Sequence, residues 1–217
     1  MVSKLSIKRT ILFVALIGIG ISVCIFTGNF YQKTMSPVYM KDIFWPNPKK
    51  ITAFTMTDQY QKEFKPDNLK GHWTLMFFGY TNCPDFCPTT MAVLNAAFKN
   101  ITKTDTSKEV QIIFVTVDPE RDSTTKIADY INHFNEKFIG LSGTQEQLDS
   151  LASQIGITYF YGPLAKDGGY DVSHTNSIFL LDPKARLISI FSHPFDPMSI
   201  QSRFLEIKKF ISTREQY

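Results

Sequence analysis

Two cysteines stand four positions apart in Gly79-Tyr80-Thr81-Asn82-Cys83-Pro84-Asp85-Phe86-Cys87-Pro88, between an apolar run, Trp73 to Phe78, and a helical pattern that begins near Thr89. A strand handing over to a helix aims the helix's unpaired N–H groups and the positive end of its dipole at the turn, which favours thiolate over thiol. Two soft, ionisable donors therefore share one turn. Such a pair suits reversible disulfide formation or capture of a soft metal, and residues at i and i+4 on a helix share a face, so the spacing admits both. A purely structural disulfide is the plainer alternative, although such bridges seldom occupy the turn above a sheet.

The elements that must position this turn are legible as periods. Trp73 to Phe78 and the β-branched Val110 to Val117 are apolar on both faces, as expected for strands of a sheet covered by helices. Between them Met91, Leu94 and Phe98 recur at helical spacing, which spells the strand–helix–strand unit of a parallel sheet. Ile51 to Phe64 reads as a short hairpin turning at Thr57-Asp58-Gln59-Tyr60. Further on, the pattern predicts helices over Thr124 to Phe134 and Thr144 to Ile155, the second with a Thr144/Glu146 start, and a short apolar segment from Phe138 to Leu141 between them. Strands follow at Ser177 to Leu181 and Leu187 to Phe191 around an Asp182-Pro183 turn. A last helix opens at Asp196-Pro197 and carries Ile200, Phe204, Ile207 and Ile211 on one face.

That order is the thioredoxin order, and the expected fold is α/β, a thioredoxin-like central sheet flanked by helices. Thioredoxin-like folds carry their reactive cysteine at the end of the first core strand, where Cys83 and Cys87 fall, but separate the pair by two residues; here Pro84, Asp85 and Phe86 make three. A second segment, Tyr170-Asp171-Val172-Ser173-His174-Thr175-Asn176-Ser177-Ile178-Phe179-Leu180-Leu181-Asp182-Pro183, places His174 where thioredoxins carry the proline that faces the cysteines. If the two align, two thiolates and one imidazole meet. Such a set suits copper, because thiolates select Cu(I) and an imidazole lets the same site hold Cu(II). Zinc accepts these donors too but usually takes a fourth ligand, and no motif spacing supplies one.

The Cys83 to Pro88 run, the run Val117-Asp118-Pro119-Glu120-Arg121-Asp122 and the Tyr170 to Pro183 segment together resemble the Sco/SenC family, over roughly residues 48 to 212. Members are membrane-anchored thioredoxin-fold proteins that help assemble the CuA centre of cytochrome c oxidase. The resemblance implies copper, Cu(I) or Cu(II), as cargo, with Cys83, Cys87 and His174 as its ligands and Asp118, Arg121 and Asp85 in support. It also implies an oxidase subunit carrying the CuA site as partner, and an upstream copper donor or thiol reductant. One departure stands out: the family commonly has aspartate before the histidine, and here that position is Ser173, with Asp171 two residues earlier. A carboxylate there would orient the ring and raise its basicity.

Two other functions compete. A thiol:disulfide oxidoreductase would use the same dithiol, one sulfur attacking a substrate disulfide and the other resolving the mixed species. A peroxiredoxin-like peroxidase would place threonine three residues before the reactive cysteine, whereas Thr81 is two before Cys83. His72, His133 and His193 read as surface or hydrogen-bonding residues, and the methionines show no clustering that would hold copper alone.

The N-terminus extends the picture. Lys4, Lys8 and Arg9 precede an uncharged apolar stretch from Ile11 to Phe26, which reads as an uncleaved transmembrane helix rather than a signal peptide because Val23, Cys24, Ile25 and Phe26 make a poor cleavage site. The expected organisation is a membrane anchor at residues 1–27, a tether at 28–47 and a thioredoxin-like copper-binding domain at 48–217, exported to the bacterial periplasm or the mitochondrial intermembrane space. Cys24 reads as an apolar residue of the span, so Cys83 and Cys87 are the cysteines of the exported part. A net charge of +3 with no basic run interleaved with aromatics gives nucleic acid nothing to recognise.

Overall fold

The computed structural model describes residues 17–20, 22, 47–104, 109–165 and 168–215. Residues 17–20 and 22 are helical. The rest of the expected anchor and nearly all of the tether lie outside the described residues, among which no helix is long and apolar enough to cross a membrane.

Among the described residues the domain is built on an eight-stranded mixed sheet. At its centre β4 (Trp73–Gly79) runs parallel to β5 (Val110–Thr116), with Phe77 opposite Phe114, and β5 runs parallel to β6 (Ile139–Ser142). Every residue of β4 is buried, as a two-sided apolar strand requires. The antiparallel pair β9 (Ser177–Leu181) and β10 (Arg186–Ser192) adds to the other side of β4, and β1 (Lys49–Lys50) closes that edge. The hairpin of β2 (Met56–Asp58) and β3 (Glu63–Phe64) extends the β6 edge. Its strands are shorter than the sequence suggests. Gln59, expected in an open polar turn, is instead buried and bridges the Phe138 carbonyl and the Gly140 N–H.

Among the described residues four α-helices flank the sheet: α1 (Phe86–Thr104), α2 (Thr124–Phe134), α3 (Gln145–Ile155) and α4 (Pro197–Glu215). Their ends follow from capping chemistry. The Ser123 and Thr144 side chains accept from N–H groups three residues on, and Asp196 accepts from Ser199 N before Pro197. The partner of Thr144 in its capping box is Gln147 rather than Glu146, because the reciprocal bond needs the third helical residue. Helix α3 stops at Gly156, whose φ of 88° is the left-handed conformation that glycine adopts without penalty. The predicted apolar face of α4 is buried at Ile200, Phe204, Ile207 and Ile211, with Phe204 edge-on to Trp73 at 5.7 Å.

Two features depart from the expected order. Helix α1 begins at Phe86, three residues before Thr89, so Cys87 lies inside its first turn. A separate two-stranded sheet of β7 (Tyr159–Tyr161) and β8 (Val172–His174) stands between α3 and β9, with Tyr159 opposite His174. Short strands rich in exposed aromatics carried no alternation that would reveal them.

The turn that sets β9 against β10 depends on a buried charge. Asp182 accepts from the backbone N–H groups of Lys184 and Arg186, both at 3.0 Å, and from Arg186 Nε at 2.6 Å. Asp182→Ala removes those bonds together and is expected to lower the unfolding free energy by about 2–3 kcal/mol. Urea denaturation followed by circular dichroism measures the loss.

Candidate metal centre

Strand β4 ends at Gly79, and the six residues Tyr80 to Asp85 carry the chain to the start of α1. The glycine relieves crowding: a Cβ there would lie 3.0 Å from Cys87 Sγ and 3.1 Å from the Phe114 ring, so these neighbours would have to give by a few tenths of an ångström. Pro88 is tolerated because the first turn of a helix has no intrahelical use for its N–H. The turn is held from outside by Asp122, a fully buried carboxylate. Its Oδ2 accepts from Thr81 N at 2.9 Å and from Thr116 Oγ1 at 2.7 Å, while its Oδ1 accepts from Thr81 Oγ1.

The two sulfurs are made unequal. Both are free thiols; Cys83 is half-buried and Cys87 fully buried. Cys83 Sγ accepts from Cys87 N at 3.4 Å, so it sits on the positive end of α1. Hydrogen bonding from the Cys87 thiol, then from the Cys87 and Asp85 backbone N–H groups, and the nearby His174 lower the Cys83 thiol to about 5 against the opposition of burial. The same thiol–thiol hydrogen bond, followed by burial, pushes Cys87 far above its ordinary value. At neutral pH the pair is one thiolate and one thiol, with the proton on the inner sulfur.

His174 is the last residue of β8, three before β9, and its Nε2 lies 3.7 Å from Cys87 Sγ. Its Nδ1 lies 3.2 Å from the Thr175 carbonyl oxygen. A carbonyl only accepts, so Nδ1 carries the proton and Nε2 presents a lone pair towards the sulfur. The ring is walled edge-on by Phe77 and Tyr80, at 6.1 and 6.2 Å between centroids. Burial pushes His174 below its ordinary value, only partly offset by the Thr175 bond and the Cys83 charge, so the imidazole is neutral at pH 7. The structure thus places Cys87 beside His174 and Cys83 beside Cys87. Among the described residues no three His, Cys, Asp or Glu side chains are already gathered as a metal cage.

Asp118 is fully buried; it accepts from Arg121 Nε and, through Oδ1, from Tyr170 OH at 2.8 Å. Arg121 lies over the Tyr170 ring at 3.6 Å and over Tyr80 at 5.8 Å, and its buried Nη2 has no hydrogen-bond partner among the described residues. Asp85 is exposed, and it is its backbone N–H that acts on Cys83. Ser173 is exposed on β8. His193 is exposed and edge-on to Phe86 at 6.3 Å, a ring contact with the cysteine turn that nothing in the sequence announces.

Four residues of this neighbourhood carry roles the sequence did not reveal. Gly79 and Asp122 lie inside the motifs without an assigned function, and Asp122 stands six residues past the end of β5, immediately before the Ser123 cap of α2. Tyr170 also lay in a motif. Tyr130, on α2, has a buried hydroxyl without a hydrogen-bond partner, and burial with the two sulfurs adding to it pushes the phenol well up.

The SCO1/SenC family model matches residues 46–209. The chain belongs to the SCO1/SenC family. Its relatives include a putative copper-binding protein of Stutzerimonas stutzeri, 34% identical over 142 residues, which are 65% of this chain and 69% of that one. A human mitochondrial SCO1 homolog is 32% identical over 138 residues, 64% of this chain and 46% of the human protein. This SCO1/SenC member therefore matches under half the length of that mitochondrial relative. Arabidopsis thaliana ScoI, solved with copper bound, superposes with a TM-score of 0.68 at 29% identity, covering 75% of this chain and 98% of that one.

The inequality of the sulfurs has a direct consequence. Iodoacetamide should alkylate Cys83 first, at a rate that falls as pH drops through about 5, where the thiolate takes up its proton. In Cys87→Ala the leading hydrogen bond is gone and the midpoint should rise towards 9.0, its unshifted value. Peptide mapping across a pH series reads both.

Proposed function

We propose that this SCO1/SenC protein is a copper metallochaperone that binds the ion through Cys83, Cys87 and His174 and passes it to the CuA-bearing subunit of cytochrome c oxidase. The observation that carries the reading is the His174 Nε2 lone pair, 3.7 Å from Cys87 Sγ and delivered by an element separate from the dithiol turn. The donor set fits copper in either oxidation state: two sulfurs for the soft ion, a neutral imidazole for the harder one. Copper bound by the Arabidopsis relative and the copper-binding name of the Stutzerimonas relative support the choice of metal.

Loading exchanges a proton for the ion. Copper replaces the proton held between the two sulfurs, which leaves to solvent, and Cys83 closes on the Cys87–His174 pair. Release runs in reverse through the half-exposed sulfur. A partner thiolate displaces Cys83 first, while Cys87 and His174, both inside the fold, hold the ion until a second donor arrives. An N-terminal transmembrane helix over Ile11 to Phe26 and a tether at 28–47 would keep the domain at the outer membrane face where such a subunit matures.

A second reading is favoured by the asymmetric thiols. As a thiol:disulfide oxidoreductase, the Cys83 thiolate attacks a substrate disulfide and expels one substrate thiolate. Cys87 then loses its proton and attacks Cys83 Sγ, releasing the second substrate thiol and leaving a Cys83–Cys87 disulfide for an external dithiol to reduce.

Copper titration of the reduced full-length protein separates the two. Wild type should bind one Cu(II) with a thiolate charge-transfer band and a nitrogen signature in its electron paramagnetic resonance spectrum. His174→Ala should lose the nitrogen signature and weaken binding by about 10–100-fold or more, while keeping dithiol exchange. Copper binding by His174→Ala indistinguishable from wild type would overturn the three-donor site.

A further inference from the structure

His174 sits on an arm. The β7–β8 hairpin is not part of the main sheet, and a lone two-stranded hairpin is barely stable in water unless something docks it. At the His174 end, Thr175 N donates to the Thr158 carbonyl at 3.0 Å and Thr158 N donates to Thr175 Oγ1 at 3.1 Å, tying the arm to itself, and Tyr159 OH, opposite His174, bonds Asp149 and Gln145 of α3. At the other end two tyrosines reach into the loop after β5. Tyr161 OH donates to the Val117 carbonyl at 3.0 Å, and Tyr170 OH donates to buried Asp118 Oδ1 at 2.8 Å. The two rings meet edge-on at 5.7 Å, and Arg121, itself bonded to Asp118, lies against the face of Tyr170 at 3.6 Å.

The same loop grips the dithiol. Asp122, four residues beyond Asp118, binds Thr81 through both its backbone N–H and its hydroxyl. One loop, residues 117–122, thus holds the cysteine turn with one carboxylate and the histidine arm with the other. We infer that Tyr170 is a positioning residue for His174, acting as a latch through Asp118 and Arg121 that keeps the imidazole against Cys87. The latch rests on the copper reading only in that the donor it places is one of the three.

The chemistry of the latch explains its strength. Asp118 has no solvent exposure, and Arg121 and Tyr170 supply side-chain donors to its two carboxylate oxygens. Removing the Tyr170 hydroxyl strips Oδ1 of that donor, and a buried acceptor left short of partners favours opening towards water over staying docked. The arm then pivots at Thr175 and Asn176, just before β9 takes over, and carries His174 with it.

Tyr170→Phe tests this, because it keeps the ring over Arg121 and deletes the hydroxyl. In the metal-free reduced protein, nuclear Overhauser effects from the His174 ring to Phe77 and Tyr80 should weaken, while Cys83, lowered chiefly by its hydrogen bond from Cys87, stays a thiolate at about pH 8 and keeps its wild-type alkylation rate there. In the copper-loaded protein the nitrogen signature should broaden and the affinity fall about tenfold. Ring contacts of wild-type intensity in the metal-free variant would overturn the latch whatever the copper result. Copper binding by His174→Ala identical to that of wild type would instead sink the three-donor reading, and the metal-free contacts would still decide the latch.

Discussion

The burial of one sulfur governs the rest of the site. Cys87 Sγ has no exposure, lies close against Gly79 at the end of β4, and sits 3.7 Å from His174 Nε2. Because an unpaired charge is costly in such a place, the proton stays on Cys87 and the negative charge falls on Cys83. Cys83 can carry it because the N-terminus of α1 points at it. A buried inner thiol and an outer thiolate follow from one packing constraint, and both proposed chemistries need that division.

The imidazole comes from 87 residues further along the chain, so its position is a product of tertiary structure. β9 fixes where the histidine strand must end, since it pairs with β4, the strand that also delivers the cysteine turn. Antiparallel neighbours, β4 and β9 therefore bring the segment after one and the segment before the other to the same end of the sheet. That adjacency sets the coarse distance. The finer approach is set by Phe77 and Tyr80 around the ring and by the loop of residues 117–122, which touches both partners.

Residues with a strong period or a chemical identity were readable before any coordinates. The two-sided apolar strands β4 and β5, the boundaries of α2 and the buried face of α4 follow from patterns that local physics imposes. The cysteine turn and His174 were readable because few residue types do soft-donor chemistry. Helix α1 starts three residues before the Thr89 at which its apolar period begins, and Pro88 is accommodated because a first-turn N–H has no intrahelical partner. The β7–β8 arm was illegible for a different reason: Phe160 is exposed, and what docks the arm is polar contact of its tyrosines with α3 and with a distant loop. Asp122 was hidden likewise, since a buried carboxylate resembles a surface one until its donors are in place.

Ser173 shows how a departure in sequence can be absorbed by geometry. Successive side chains of a strand point to opposite faces, so on β8 the residue before His174 faces away from the imidazole. Ser173 is exposed accordingly, whereas His174 turns inward to Cys87. A carboxylate at position 173 on this backbone would project to solvent rather than to Nδ1. The proton on Nδ1 is fixed instead by the Thr175 carbonyl, a main-chain group that any residue at 175 would supply. Orientation of the ring and choice of its tautomer are therefore properties of the strand end itself. What remains sensitive to side-chain identity is whether the strand end stays where it is, and that is decided on the far side of the hairpin, at Tyr170 and Asp118.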